Sequence, residues 1–237
     1  MKYRLAFLLL TGLLSLGFAL GPGIKKTDFR SGNLTCPETG NLLAKEETKM
    51  LYMDNGNTKI NSVYRLAGNV FAEKSNTWLS TASYPSYQLV NHSTGALESV
   101  KPTEKGLKVS FKEDKNGELQ SKTLPFGPRY AYDEELIQIA AEELDKLLAN
   151  QKIKLSIVVP SRLAAYDFIL EKKQSSKKSV HLILSPENFF LRQIVNPIEL
   201  WLNPEDKSLQ RVKGITNVLF KETGTRPVEI NYTEDPA

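Results

Sequence analysis

Cysteine, histidine and long apolar runs are scarce in this chain, and each scarcity narrows what it can be. Cys36 stands alone among 237 residues, so no intrachain disulfide can form. Small exported eukaryotic domains lean on disulfides, whereas a chain this long can bury a core without them. An exported protein with this cysteine usage reads as bacterial, and the three Asn-x-Ser/Thr triplets at Asn33, Asn91 and Asn231 read as chance matches. The two histidines, His92 and His181, lie far apart and far from Cys36, which leaves no zinc spacing. No metal and no cofactor are expected. A glycine-rich phosphate loop and a Gly-x-Ser-x-Gly nucleophile elbow are both missing. Ser161, Asp167 and His181 can be assembled on paper into a triad, but most chains of this length permit such a set.

The one long apolar run comes first. Lys2 and Arg4 precede an almost unbroken stretch from Leu5 to Leu20, which ends in the small residues Gly17 and Ala19. A membrane span needs ~20 apolar residues. A shorter run with a basic flank and small residues at its end fits a secretory signal peptide cleaved after Ala19. Removal of residues 1–19 leaves 218 residues, with 29 Lys and Arg against 27 Asp and Glu. That near-neutral balance, together with a periplasmic or secreted destination, argues against a nucleic-acid partner. No transmembrane segment is expected in the mature chain. A lipid-modified Cys36 is disfavoured because Lys25 to Asn33, charged and polar, separate it from the apolar run.

Residues 20–44 hold Gly21, Pro22, Gly23, Pro37 and Gly40 and read as a flexible leader. From 45 to 237 a single domain is expected. Period-two patterning starts near Met50–Met53, turns at Asp54-Asn55-Gly56-Asn57, and returns over Ile60–Leu66. Short candidate strands follow at 87–91, 96–100, 107–112 and 118–124. Asp133 through Ala149 breaks the pattern. Leu136, Ile139, Ala140, Leu144, Leu147 and Leu148 form an apolar stripe at helical spacing, with Asp133 as a candidate cap, Glu134 and Glu135 in the first turn, and Asn150 as a stop. Strands resume at 153–159, 166–170, 180–184, 198–202 and 228–232. A sheet with one strongly apolar face needs a cover, and this helix is the candidate. The predicted architecture is mainly β: a curved, partly open antiparallel β-barrel with one long helix packed in its concave face.

Several residues stand out as candidates for binding. Arg162, in Pro160-Ser161-Arg162, sits between two apolar strands, where a guanidinium can meet an anionic group or pair with Asp167 or Glu199. Asn188-Phe189-Phe190-Leu191-Arg192 is aromatic and closed by a cation. Tyr166 and Trp201 are placed to complete an apolar wall. The predicted ligand site is therefore Tyr166, Phe189, Phe190 and Trp201 around an apolar group, with Arg162 or Arg192 on its anionic end. The basic run 171–178 and the acidic pairs Glu134-Glu135 and Glu142-Glu143 read as solvated turn and helix positions.

The second half carries a recognisable order of motifs. A helix ends in Leu147-Leu148. Next come Val158-Val159-Pro160-Ser161-Arg162-Leu163, Tyr166-Asp167-Phe168 and Pro197-Ile198-Glu199-Leu200-Trp201-Leu202. Gly214-Ile215-Thr216-Asn217 and Pro227-Val228-Glu229-Ile230-Asn231-Tyr232 complete it. This order resembles an uncharacterised family of exported proteobacterial proteins, a domain of unknown function, over residues 125–233 and more weakly from Ala67. The family carries no established activity to transfer. What the resemblance implies for architecture is similarity to the half-open barrel with a plugging helix of periplasmic lipoprotein carriers, and fold does not fix function. The expected function is that of a non-enzymatic cell-envelope protein binding a lipid or acyl ligand, or an envelope protein partner. The rivals are an envelope hydrolase using Asp167 or Glu199, and a purely structural interaction module.

Overall fold

The computed structural model describes residues 23–127, 129–218, 220 and 226–234. The predicted signal segment and its cleavage site lie outside them. The N-terminal half of the chain makes β1 (Ile24–Thr35), β2 (Leu42–Met53), β3 (Thr58–Leu66), β4 (Asn69–Trp78), β5 (Ser86–Asn91), β6 (Leu97–Thr103), β7 (Gly106–Lys112) and β8 (Gln120–Leu124). The C-terminal half makes β9 (Tyr130–Ala131), α1 (Glu134–Glu142), α2 (Leu144–Leu148), β10 (Ile153–Val159) and a 3₁₀ turn (Pro160–Arg162). It continues with β11 (Ala164–Ser175), β12 (Val180–Pro186), α3 (Phe189–Arg192), β13 (Ile198–Leu202), β14 (Leu209–Ile215) and β15 (Pro227–Glu234). All fifteen strands belong to one sheet, ordered β8-β7-β6-β5-β4-β3-β2-β1-β15-β14-β13-β12-β11-β10-β9. Every pairing is antiparallel except β9 with β10.

The chain thus meanders outward from β1 to β8, crosses to the opposite edge, and meanders back until β15 lies against β1. The crossing fixes the overall curvature. Leu124 and Tyr130 are six residues apart, and an extended chain of that length spans at most about 20 Å, so the two edges of the sheet curl close to each other. The seam between them is filled with aromatic rings. Tyr84 stacks on Phe126 and tilts against Tyr130. The Tyr84 hydroxyl donates to the Gly127 carbonyl at 2.9 Å, and the Tyr130 hydroxyl to the Pro125 carbonyl at 2.9 Å. This is the curved, partly open barrel that the alternation of short strands and turns predicts. The Asp54–Asn57 turn joins β2 to β3 as expected, with Gly56 at φ 80, a conformation that residues with a Cβ rarely adopt.

Two expectations need correction. Residues 24–35, expected within a flexible leader, form β1, hydrogen-bonded between β2 and β15 in the middle of the sheet. The strand looks like a leader because its inward positions include Arg30 and Gly32, and its backbone ladders on both sides hold it without an apolar pattern. The single long helix is in fact two, meeting at Glu143 (φ −90, ψ 6). The Glu143 carboxylate pairs there with Arg129 at 2.9 Å and Lys146 at 2.8 Å. The predicted stripe still describes the packing: Leu136, Ile139, Ala140, Leu144 and Leu147 are buried against Leu155, Phe168, Leu170, Leu182, Leu184 and Leu200 of the C-terminal strands. Asn150 adopts φ 61 just beyond α2, the left-handed stop read from the sequence. Among the described residues no helix is long and apolar enough to cross a membrane.

Candidate functional site

The two halves of the sheet enclose a cavity of about 480 Å³. Its lining comes from opposite chemistries. On the C-terminal side Ile157, Val158, Phe168, Leu200, Val212 and Ile230 form an apolar wall, joined by Leu136 and Ile137 of α1. On the N-terminal side Glu46, Tyr64, Lys74, Tyr87 and Glu98 face the same space, with Asp133 and Glu134 projecting from the start of α1 and Tyr232 from β15. Ser161, Asn196 and Ile215 line the cavity and are also exposed, so they mark its opening to solvent. Glu46, Lys74, Tyr64 and Glu134 are nearly inaccessible and mark its far end.

Two glycines shape this region, one by leaving the cavity open and one by seating a ring of its lining. Gly214 sits at an inward position of β14, between Val212 and the strand end, and pairs with Val228. A Cβ there would come 3.2 Å from Ile198 Cγ1, and a longer side chain would project into the cavity. Gly32 of β1 lies opposite Tyr232, and a Cβ there would meet the Ile230 and Tyr232 side chains at 2.6 and 2.9 Å. Its missing side chain lets Tyr232 lie flat across β1, with its hydroxyl 3.2 Å from Glu46 Oε2.

The buried end is an ion cluster assembled from both halves. The Arg30 guanidinium donates to Glu134 Oε1 at 2.8 Å and lies over the Tyr232 ring at 4.5 Å. Lys74 Nζ lies 3.0 Å from Asp133 Oδ1, 3.4 Å from Glu134 Oε1 and 3.8 Å from Glu46 Oε1. Asn76 donates to Asp133 Oδ2 at 2.6 Å, and the Trp78 indole to Glu135 Oε2 at 2.8 Å. The period of a strand explains this. Lys74, Asn76 and Trp78 alternate along β4 on one face, so the consecutive acids 133–135 each find a partner on it. Asp133 does not cap α1 through its side chain. It sits at φ 51, ψ −124, a sparsely populated conformation costing of order 1–3 kcal/mol, and its carboxylate turns to Lys74 and Asn76 instead.

Burial and the neighbouring charges oppose each other in the titration of these groups. Burial pushes the Asp133 carboxyl upward against the pull of Lys74. It also pushes Glu134 upward, but Arg30 and Lys74 outweigh it and hold that carboxyl below the ordinary value. Lys74 is held well above the usual lysine range because its acidic neighbours outweigh its own burial. Glu98, buried and accepting from the Tyr87 hydroxyl at 3.1 Å, is pushed up to about 7 by burial. Tyr87 in turn accepts from Asn217 Nδ2 at 2.6 Å, which ties β5 to the segment after β14.

None of the six residues predicted to form the ligand site lines this cavity. Arg162 is exposed in the 3₁₀ turn, beside Ser161, which does line it. Tyr166 lies at the start of β11 and is exposed at the rim, two residues before Phe168, which faces the cavity. Phe189 and Phe190 are 66% and 78% exposed in α3, whose cap Asn188 accepts from the Phe190 and Leu191 amides. The Arg192 guanidinium donates to the Pro186 carbonyl at 2.5 Å rather than pointing inward. Trp201 lies on the outer face of β13, stacked on His181 at 4.1 Å and under Arg211 at 3.5 Å. The physical reason is the pleat. Leu200 and Leu202 take the inward positions, so Trp201 between them faces out. The acids of the hydrolase rival do not converge either. Asp167 accepts from Ser156 at 2.6 Å, while Glu199 pairs with His181 at 2.6 Å two strands away. The residues that do converge, Arg30, Glu46, Lys74, Asp133 and Glu134, escape a reading of the sequence because β1 and β4 carry polar residues on both faces.

No family model and no curated protein matches the chain. Among solved structures, the crystal structure of a beta-barrel-like protein of domain of unknown function DUF1849 from Brucella abortus aligns with 90% of this chain and 100% of its own, at 6% identity and a TM-score of 0.48. At that score the likeness carries no argument about what this chain does.

Proposed function

We propose that this protein is an exported, non-catalytic cell-envelope protein that takes an apolar ligand of the acyl-chain type into the cavity between the two halves of its sheet. The observation that supports the reading is the cavity itself: about 480 Å³, walled on one side by aliphatic side chains, and reached past exposed lining residues. That volume falls within the ~300–1,000 Å³ of small-molecule pockets, which are also mostly apolar with a few placed polar groups. Each methylene withdrawn from water contributes about 0.8 kcal/mol. Ten of them therefore roughly offset the 4–15 kcal/mol that association costs, and the contacts to the ligand's polar end then set the affinity. The export part of the proposal rests on Lys2, Arg4 and the apolar run 5–20. N-terminal sequencing of the protein from its host should start at Leu20, and a start at Met1 contradicts export with cleavage.

The neutral fluorophore N-phenyl-1-naphthylamine tests the binding reading. The full mature chain should enhance and blue-shift its emission and saturate at one probe per chain, with competition by dodecanol. An absence of saturable binding removes the reading. A partner-binding module, resting on the exposed Phe189 and Phe190, then takes its place.

A further inference from the structure

We infer that the ligand carried in this cavity has a cationic polar end, an ammonium group, which seats among the carboxylates and tyrosine rings at the buried end. The inference rests on the binding reading above and adds the chemical class of the headgroup. It reverses the sign expected from Arg162 and Arg192, because neither guanidinium lines the cavity.

The charge balance of the lining is the first support. Four carboxylates face the cavity, those of Glu46, Glu98, Asp133 and Glu134, while Lys74 is its one lining cation among the described residues. Arg30 lies beside the lining and is committed to Glu134 at 2.8 Å. Lys74 is likewise committed, with three carboxylates within 3.8 Å. An anionic headgroup arriving here would have to strip one of these cations from its carboxylate and then sit among like charges in a poorly solvated space, where repulsion is weakly screened. A cation meets the opposite situation. It shares carboxylates that already outnumber their partners, and no existing pair has to break.

The second support is independent of charge count. Tyr64, Tyr87, Tyr132 and Tyr232 all line the cavity at its charged side. Aromatic faces attract cations, and quaternary or primary ammonium groups are recognised by clusters of such rings. This protein already uses two of them in that way, with Arg30 over Tyr232 and Lys74 5.7 Å from the centre of Tyr64. The Tyr87 and Tyr132 rings, packed on each other at 6.3 Å and 52°, carry no such cation on their faces among the described residues, and they stand beside Glu98 and Asp133. An ammonium at that place would touch ring faces and carboxylates together while its chain lay along the Leu200–Ile230 wall.

A chain-matched series decides the sign. Dodecylamine, dodecanol and dodecanoate are used, each below its micellar concentration, to displace N-phenyl-1-naphthylamine from the full mature protein at pH 7.5 and fixed ionic strength. Dodecylamine should displace at a concentration at least tenfold lower than dodecanoate, with dodecanol between them. In Asp133→Asn the amine-to-carboxylate ratio should shrink severalfold, a change of preference that a general loosening of the fold does not produce. Glu98→Gln, which keeps the bond from Tyr87, should shrink the ratio in the same direction and serves if Asp133→Asn does not fold. Dodecanoate binding as well as or better than dodecylamine in the wild type overturns the inference and leaves the cavity reading intact. Failure of all three to displace a bound probe overturns it as well, and contradicts the acyl-chain reading, which requires competition by dodecanol. If the probe itself does not bind, the binding reading fails and the headgroup inference fails with it.

Discussion

The two halves of the sheet share one meander and one cavity, yet their inner faces are built from different materials. Strands β10–β14 turn Leu155, Phe168, Leu170, Leu182, Leu184, Leu200 and Leu202 inward, and α1 and α2 cover them with more leucine and isoleucine. That half is held by apolar area withdrawn from water. Strands β1–β6 turn Arg30, Glu46, Thr48, Ser62, Lys74, Asn76 and Glu98 inward, all nearly inaccessible. Buried charges are stable only when paired and hydrogen-bonded. Here part of the pairing comes from Asp133 and Glu134 at the start of α1, an element whose apolar stripe belongs to the other half. The helices therefore join the halves in two ways, by charge at one end and by packing along the rest. Beside its own apolar cluster, which includes Leu34, Ala44, Ala72, Leu89 and Val100, the N-terminal half keeps ionised groups at the edge of an open space. That difference separates a face held by apolar packing from a face held in large part by ion pairs and hydrogen bonds.

The largest effect is expected from removing a cation from the polar half. Lys74→Met takes from Asp133, Glu134 and Glu46 the cation they share, leaves Arg30 paired with Glu134, and should cost about 3–5 kcal/mol in urea unfolding. On the apolar side Leu182→Ala should cost about 2–5 kcal/mol by loss of transfer energy and a residual void, and it should leave the amine-to-carboxylate ratio unchanged. A Leu182→Ala variant that altered headgroup preference would contradict the division of labour between the halves.

Glu98 makes the polar half respond to pH. Its folded carboxyl is raised from an ordinary 4.5 to about 7 by burial. Below pH 4.5 it is protonated in both states and costs nothing. Between pH 4.5 and 7 the unfolded chain releases the proton while the folded one retains it, so this group makes stability fall as pH rises, and the penalty is complete above pH 7. Glu98→Gln should consequently stabilise the protein at pH 8 by on the order of 2–3 kcal/mol and have little effect at pH 4. Chemical denaturation at the two pH values measures this, and equal effects at both would contradict the burial assigned to Glu98. The smallest effect is expected outside the cavity. Trp201→Ala removes the stack between His181 and Arg211 and should cost about 1 kcal/mol, with binding of N-phenyl-1-naphthylamine unchanged.

The same contrast governs what can be read from the chain alone. The apolar half is legible because its strands alternate and its helical stripe is regular: Ile153, Leu155, Leu182, Leu184, Leu200 and Leu202 all fall where period two puts them. Strands β1, β4 and β14 are not read as strands from the sequence. Among their inward positions Arg30 and Gly32, Lys74 and Asn76, and Gly214 interrupt the apolar residues Leu34, Ala72 and Val212, so the alternation is lost. The candidate site suffers for the same reason. Aromatic residues flanked by a cation, as in Phe189-Phe190 and Arg192, look like a ligand wall in sequence but lie in α3 outside the cavity lining. The acids at 133–135 have the spacing of a helix start, and only the register of β4 shows that they serve the opposite strand.

Gly214 offers the most direct measurement. It is the inward position in β14 whose missing side chain leaves the apolar wall open; its backbone lies outside the left-handed region, and a Phe there displaces the Ile198 side chain, which a Cβ would already meet at 3.2 Å. Wild type and Gly214→Phe, matched for far-ultraviolet circular dichroism, are titrated with N-phenyl-1-naphthylamine. The account predicts saturation at one probe per wild-type chain and at least a tenfold loss of affinity in Gly214→Phe. Equal binding by both proteins, or none by the wild type, would contradict it.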